Sequence, residues 1–383
     1  MGFNGVLSGM LILTFYSVIA GLAVAYFYNS VRGVFIGIES HSAQALFAST
    51  IADPWTLLFW HSLVILFTII VVARGIRGGL EKSINLMMPG LLLILLVLLG
   101  YASSTGFFMD SFYFLFMPDF SKLSWQAVLI AMGHAFFTLS IGFGTMMAYG
   151  AYVNRKISLV RASLWIVFMD TLIALLAGLV IFSIVFANQL EPGMGPGLLF
   201  QTLPIAFGQM GGGWLFGSLF FLLVVMAALS STISMMEPAL SWLEQNWGFG
   251  RLKGAWFLGG IAWLVGLGTV LSFNLWQNVH LLGERHFFDS LDFLTSSILL
   301  PLGGLLMGVF MAWTIRADIR ASQIPLKGLS LNLFMITLRY ITPVAIIIVF
   351  ASNLAPDNVW LLSLIALMIY VLYVVNVKRQ GGY

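Results

Sequence analysis

Three residues in one long apolar segment are spaced so that a helix would bring their oxygen atoms together. Ala227, Ser230 and Ser231 stand at i, i+3 and i+4, so one carbonyl and two hydroxyls share a helix face. Hard oxygens of low charge suit a sodium ion. Serines in membrane helices also hydrogen-bond to neighbouring helices. The pattern alone fits either role.

Asp170 is the acidic residue that we place well within a predicted membrane span. Charge at that depth is costly, so the carboxylate needs an ion, water or a partner. Small residues follow at every fourth position, Ala174 and then Gly178, and such a stripe packs tightly against a neighbouring helix. Asp170 is therefore either an ion ligand or a neutral, protonated acid bonded to that neighbour.

The apolar segment 125–152 is too long for one straight membrane helix. Its 28 residues would extend about 42 Å, whereas the hydrocarbon core is about 30 Å thick. Its middle carries Thr138 and Ser140 beside Gly142 and Gly144, where the backbone can unwind and hydroxyls can satisfy the freed groups. A tilted helix with closely packed glycines is the alternative. Broken helices at the midplane are binding sites in many secondary transporters.

Covalent catalysis has little support in this sequence. His134 is the only histidine well inside the segment 125–152, and no second histidine or carboxylate lies at ligand or acid–base spacing from it. The chain has no cysteine, which excludes disulfides and cysteine metal sites. We expect no enzyme.

The composition places most of the surface in lipid. Of 383 residues, 60% are hydrophobic and 8% charged, against about 25% charged in a soluble domain. The net charge of +3 does not indicate nucleic-acid binding. We predict an all-α polytopic membrane protein with ten transmembrane helices of about 20 residues or more. The predicted spans are 5–30, 55–73, 84–107, 125–152, 160–187, 214–243, 254–276, 289–315, 329–354 and 358–377.

The basic residues predict the orientation. With a cytoplasmic N-terminus, inside loops hold 13 basic residues and outside loops 3, with Arg339 inside a span. We therefore predict a multi-pass protein of the plasma membrane with both termini in the cytoplasm. The inside set is Arg74, Arg77, Lys82, Arg155, Lys156, Arg161, Arg251, Lys253, Arg316, Arg320, Lys327, Lys378 and Arg379, and the outside set is Arg32, Lys122 and Arg285.

Collinear motifs give the chain a family resemblance. The stretch Phe136–Gly144, with Tyr149 and Tyr152, resembles the sixth transmembrane helix of the neurotransmitter:sodium symporters, which include the bacterial leucine transporter. Further matches run in order along nearly the whole chain: Arg74-Gly75-Ile76, Met88-Pro89, Met117-Pro118-Asp119-Phe120, Gly178-Leu179-Val180-Ile181-Phe182, Thr202-Leu203-Pro204 and Arg339-Tyr340-Ile341-Thr342-Pro343. The resemblance implies a leucine-transporter-like inverted-repeat fold and sodium-coupled symport of an amino acid or related small zwitterion.

The resemblance also implies roles for individual residues. Tyr16 matches the tyrosine that bonds the substrate carboxylate, Phe137 would close over the substrate as a lid, and Asp292 matches an acidic gate residue. The side-chain pocket would be lined by Ser140, Phe143, Ser231 and Met235, and Thr138 would also belong to the substrate-binding set. One sodium site would contain Thr138 and Asp170, and the other Ala227, Ser230 and Ser231. The family usually has asparagine at Asp170, and chloride-independent bacterial members often have glutamate at Ala174. We expect the Asp170 carboxylate to serve as a sodium ligand and to supply the negative charge that otherwise requires chloride.

The family's first two helices have no counterpart here, since Tyr16 matches the third helix. By this resemblance residues 5–107 are the remainder of the first repeat, 125–315 the second repeat and 329–377 two C-terminal helices of a single membrane domain. We expect a truncated or incomplete transporter, or one that a separate chain completes, which does not perform coupled uptake alone. The alternative is a non-transporting membrane scaffold or binding protein that retains the symporter fold.

Overall fold

The computed structural model describes residues 2–121, 123–153, 157–193, 195–315, 324, 326–354 and 358–379, with side chains up to residue 374. Several basic residues that underlie the predicted orientation lie outside this description. They are Lys122, Arg155, Lys156, Arg316 and Arg320, together with the side chains of Lys378 and Arg379.

Helices dominate the described chain, and we number them in order. They are α1 (Gly2–Val31), α2 (Ser40–Ala52), α3 (Pro54–Ala73), α4 (Ile76–Ser103), α5 (Phe108–Phe116), α6 (Trp125–Thr138), α7 (Thr145–Tyr152), α8 (Leu159–Ala187), α9 (Leu203–Gln209), α10 (Gly213–Trp247), α11 (Arg251–Ser272), α12 (Phe287–Thr314), α13 (Leu329–Leu354) and α14 (Val359–Arg379). Two short antiparallel strands, β1 (His280–Leu282) and β2 (Arg285–His286), join α11 to α12.

Eight of these helices are long and apolar enough to cross a membrane. They are α1, α3, α4, α8, α10, α11, α12 and α13, and each overlaps one predicted span. The predicted span 358–377 corresponds to α14, whose residues Val359–Val374 form a shorter apolar helix. The predicted span 125–152 is divided between α6 and α7. The fold class predicted from the sequence, an all-α polytopic membrane protein, is confirmed.

The span predicted at 84–107 is displaced in the structure. Helix α4 begins at Ile76 and ends at Ser103. The hydroxyls of Ser104 and Thr105 donate to the carbonyls of Tyr101 and Ala102, at 2.6 and 2.7 Å, and Gly106 adopts a positive φ of 84°. Local hydroxyl bonds of this kind compete with the helical ladder, and the left-handed glycine stops it.

One compact unit comprises Ile12–Asp119 and Thr171–Ser290. Its core contains aromatic residues around the wholly buried Tyr26, whose ring centre lies 4.9 Å from that of Phe200 and 5.7 Å from that of Phe221. Helices α3 and α11 approach closely at Gly259, which has no side chain. A Cβ added there would lie only 2.3 Å from the Ile69 side chain. Small residues allow such close helix packing in membranes, where the hydrophobic effect between helices is absent.

A second compact unit comprises Met1–Leu11, Phe120–Asp170 and Leu291–Tyr383. Glycines bring three of its segments together. A Cβ on Gly5 of α1 would lie 2.8 Å from the Cα of Gly144, and a Cβ on Gly303 of α12 would lie 2.9 Å from the Cα of Gly142. The backbone between α6 and α7 is therefore in direct contact with the start of α1 and with α12.

Candidate functional site

The oxygen atoms on α10 lie as the sequence spacing requires. Ser230 and Ser231 both donate their hydroxyl protons to the carbonyl of Ala227, at 2.8 and 3.1 Å. A hydroxyl has one proton and two lone pairs, so each oxygen keeps acceptor capacity after this donation. One carbonyl and two hydroxyl oxygens therefore form a cluster of hard oxygen atoms that can contribute to a site for a small cation.

Tyr16 of α1 lies beside this cluster in the same unit. Its hydroxyl is hydrogen-bonded to the Ser231 side chain, and its ring packs against the buried residues Ala20, Val64 and Ala228. Met235 is buried one helical turn beyond Ser231. The structure thus brings together the predicted site residues of α1 and α10, with a phenol and hydroxyls adjoining an apolar side chain.

Other predicted site residues lie at the break between α6 and α7. Ser140 has a positive φ of 53°, an unusual conformation for a residue with a Cβ that costs about 1–2 kcal/mol. Gly142 and Gly144 follow with φ values of 95° and 76°. The helical ladder ends in tight turns, from the Ser140 N–H to the Phe137 carbonyl at 3.1 Å and from the Ile141 N–H to the Phe136 carbonyl at 3.0 Å.

Two aromatic residues flank this break. The rings of Phe137 and Phe143 meet edge to face with centres 5.8 Å apart. Phe143 is buried, Phe137 is half-buried, and Thr138 is exposed with its hydroxyl 3.4 Å from the Ala135 carbonyl. The last carbonyls and first N–H groups of any helix lack partners within that helix, so helix ends such as those of α6 and α7 favour polar or charged ligands.

The two candidate carboxylates of this second unit differ in their surroundings. Asp292 is exposed on α12, and its carboxylate accepts the hydroxyl of Ser296 at 2.8 Å. Asp170 is half-buried on α8, and no hydrogen-bond partner is found for it in the described part of the chain. Whether Asp170 is an ion ligand or a neutral, protonated acid stays a prediction.

Asp170 is not the sole acidic residue within a long apolar helix, contrary to our sequence interpretation. Glu237 lies within α10 and is wholly buried. Its carboxylate pairs with Arg251 at the start of α11 and accepts the hydroxyl of Ser241 at 3.3 Å. The partner is fourteen residues away, so no helical spacing revealed it. The sequence feature that could have indicated this buried pair is the acidic residue Glu237 inside a predicted span.

Arg251 joins three helices of its unit. Besides Glu237, its guanidinium contacts Glu244 of α10 at 3.4 Å and donates to the Val72 carbonyl at the end of α3 at 3.0 Å. A buried charge is tolerable only with such pairing and hydrogen bonding. The sequence assigned Arg251 only to a cytoplasmic loop, whereas the structure gives it a packing role.

Comparison with known proteins identifies the family. Residues 42–359 match the model of the Sodium:neurotransmitter symporter family. The chain belongs to the sodium:neurotransmitter symporter family. The chain is 36% identical over 356 residues to the uncharacterized sodium-dependent transporter YhdH of Bacillus subtilis, covering 92% of this chain and 78% of YhdH. An uncharacterized sodium-dependent transporter of Haemophilus influenzae is 31% identical over 79% of this chain and 66% of its own length.

A solved structure supports the same conclusion for the fold. The crystal structure of MhsT in complex with L-phenylalanine matches with a TM-score of 0.84 and 37% identity, over 92% of this chain and 80% of MhsT. The symporter described here is therefore a multi-pass membrane transporter with the leucine-transporter fold, it uses sodium, and it is not an enzyme. The predicted completion by a separate chain and the roles of individual site residues stay predictions.

Proposed function

We propose that this symporter couples sodium to the movement of an amino acid, or a related small zwitterion, across the plasma membrane by alternating access. The observation that carries the proposal is the oxygen cluster of Ala227, Ser230 and Ser231 with the Tyr16 hydroxyl next to it. A cation ligand set beside a phenol suits a sodium ion and a substrate carboxylate. The similarity to MhsT, solved with L-phenylalanine, supports an amino-acid substrate.

In this proposal, different residues contact the carboxylate and the side chain of the substrate. The Tyr16 hydroxyl donates to the substrate carboxylate, while Phe137 covers the substrate from one side. The pocket for the substrate's side chain contains two large apolar residues, and these favour an apolar amino acid. Its lining in our proposal is Ser140, Phe143, Ser231 and Met235.

Sodium in this proposal occupies two sites. The first uses the Thr138 hydroxyl and the Asp170 carboxylate, and the second uses the oxygen cluster of α10. A carboxylate at the first site supplies a negative charge next to the cation, so chloride is not required. Asp292 acts as an outer gate residue, and its bond from Ser296 holds the carboxylate in one orientation.

The experiment is sodium-driven uptake into membrane vesicles from cells that carry or lack the gene. A panel of radiolabelled amino acids is supplied under an inward sodium gradient, with choline as the matched cation. We expect uptake of apolar amino acids that requires the gene, sodium and a host that produces the separate chain predicted to complete the transporter, and no coupled uptake by this chain alone. Equal uptake by vesicles with and without the gene would favour the alternative, a membrane scaffold or binding protein that retains the symporter fold.

A further inference from the structure

The loop between α11 and α12 forms a small hairpin with a histidine on each strand. Leu282 pairs with Arg285 across a turn made by Gly283 and Glu284, and Gly283 has the positive φ of 64° that such tight turns need. His280 lies on β1 and His286 on β2. Nothing in the proposed transport mechanism uses either histidine.

A β-bulge places the two histidines opposite each other. After the pair of Leu282 with Arg285, a regular antiparallel ladder would pair Leu281 with His286. The observed partner of His286 is instead His280, because Leu281 is an extra residue in β1. Residues directly opposite each other in a ladder have their side chains on the same face. The bulge therefore brings two imidazoles together that a regular hairpin would separate.

The two imidazole rings lie close enough to share a ligand. Their centres are 4.7 Å apart and their planes are inclined by 34°. The Nδ1 atom of His286 is buried and has no hydrogen-bond partner in the described part of the chain. A buried polar atom without a partner is unfavourable, so binding of an ion or a water to it would be favourable.

We propose that His280 and His286 form a binding site for a divalent late transition-metal ion of the Zn²⁺ type. Neutral imidazole is a preferred ligand of such ions. Two nitrogens bound to one zinc at bond lengths of about 2.0–2.1 Å lie about 3.4 Å apart, which these rings reach by rotating about their Cβ–Cγ bonds. No group of three or more histidine, cysteine or acidic residues is found among the described residues. Water therefore completes the coordination shell, and binding is reversible.

The position of the hairpin gives the metal a way to act on the protein. Phe287 follows His286 directly and packs against α11, where a Cβ on Gly268 would lie 2.5 Å from its ring. The next residue, Phe288, packs against Phe15 and Phe273 with ring centres 5.6 and 5.3 Å apart. A metal ion that joins the two strands therefore stiffens the segment that leads into α12.

The test is Zn²⁺ binding by the full chain, purified without a histidine tag in a chelator-free buffer and measured by equilibrium dialysis. His280→Gln and His286→Gln keep side-chain length and polarity but remove the imidazole. His41→Gln is the matched control, since His41 is exposed on α2. We expect saturable binding of one Zn²⁺ per wild-type chain and per control chain, and an affinity about tenfold or more lower in each hairpin variant.

Two results would overturn the proposal: absence of saturable binding by the wild-type chain, or wild-type affinity in either hairpin variant. Thermal unfolding without metal, compared across all four proteins, verifies that the substitutions leave the fold intact. Because binding is measured directly, the outcome does not depend on whether the chain transports an amino acid.

Discussion

The guanidinium of Arg251 pairs with the wholly buried carboxylate of Glu237. The first residue of α11 is thereby held against the interior of α10, and the same guanidinium is hydrogen-bonded to the last turn of α3 through Val72. A charge buried in a helical membrane protein remains stable only while its counter-charge stays in place.

Arg251→Gln should strongly destabilise the protein. Removing one partner of a buried ion pair typically costs about 3–5 kcal/mol, because the other charge remains buried without compensation. Thermal unfolding in detergent measures the effect, with Lys253→Gln as the control, since Lys253 is exposed in the same turn of α11. The double variant Glu237→Gln/Arg251→Gln should recover part of the loss. Equal stability of Arg251→Gln and Lys253→Gln would contradict the role assigned to the pair.

Gly5→Ala tests the close approach of α1 to the break between α6 and α7. Alanine favours a helix over glycine by about 1 kcal/mol, but its Cβ would lie 2.8 Å from the Cα of Gly144. Overpacking of this kind costs about 1–3 kcal/mol, so we expect a lower unfolding temperature. Gly2→Ala, with nothing within 4 Å, should be neutral or stabilising. An unchanged unfolding temperature of Gly5→Ala would show that the backbone of α1 does not contact the break between α6 and α7.

Asp170→Asn tests the proposed replacement of chloride by a carboxylate. We expect wild-type uptake to be the same in chloride and in gluconate, because the negative charge belongs to the protein. In the variant that charge is lost while an amide oxygen remains available to sodium, so uptake should become dependent on chloride. Chloride dependence of the wild-type protein would refute the assignment.

The absence of cysteine allows a direct test of orientation. A single cysteine at Glu284, in the hairpin, should react with a membrane-impermeant maleimide added to intact cells. A cysteine at Gly250, between α10 and α11, should react only after the membrane is permeabilised. The charge bias predicts this difference, because it places the connection between α10 and α11, next to Arg251 and Lys253, in the cytoplasm. The opposite labelling pattern would invert the topology.

The sequence predicted the apolar helices well because lipid imposes a simple physical constraint. A span needs about 20 apolar residues, so α1, α3 and α10 were readable from length and composition. The grouping of oxygen atoms on α10 was equally predictable, since the spacing of Ala227, Ser230 and Ser231 determines which atoms share a face. The left-handed Ser140 was not predicted, although the neighbouring glycines indicated where the backbone could unwind.

Long-range and irregular features were beyond the sequence analysis. The pairing of Glu237 with Arg251 depends on how α10 and α11 pack, and helical periodicity contains no such information. The bulge that places His280 opposite His286 depends on a single extra residue in a five-residue ladder. Small shifts in register of this kind change which side chains meet, while the composition of the loop stays the same.

The most direct test of the central claim is the sodium concentration that gives half-maximal amino-acid uptake in vesicles, compared between the wild-type protein and Ser230→Ala. Ser230 contributes a hydroxyl oxygen to the proposed sodium site but not to the proposed substrate pocket. We predict that Ser230→Ala needs about tenfold more sodium while its preference among amino acids is unchanged. Ser218→Ala removes a hydroxyl of the same helix that is bonded to the Trp214 carbonyl and to Ser30, outside the proposed sodium site, and should keep the wild-type sodium requirement. An unchanged sodium requirement in Ser230→Ala, or equal wild-type uptake in choline, would contradict the account.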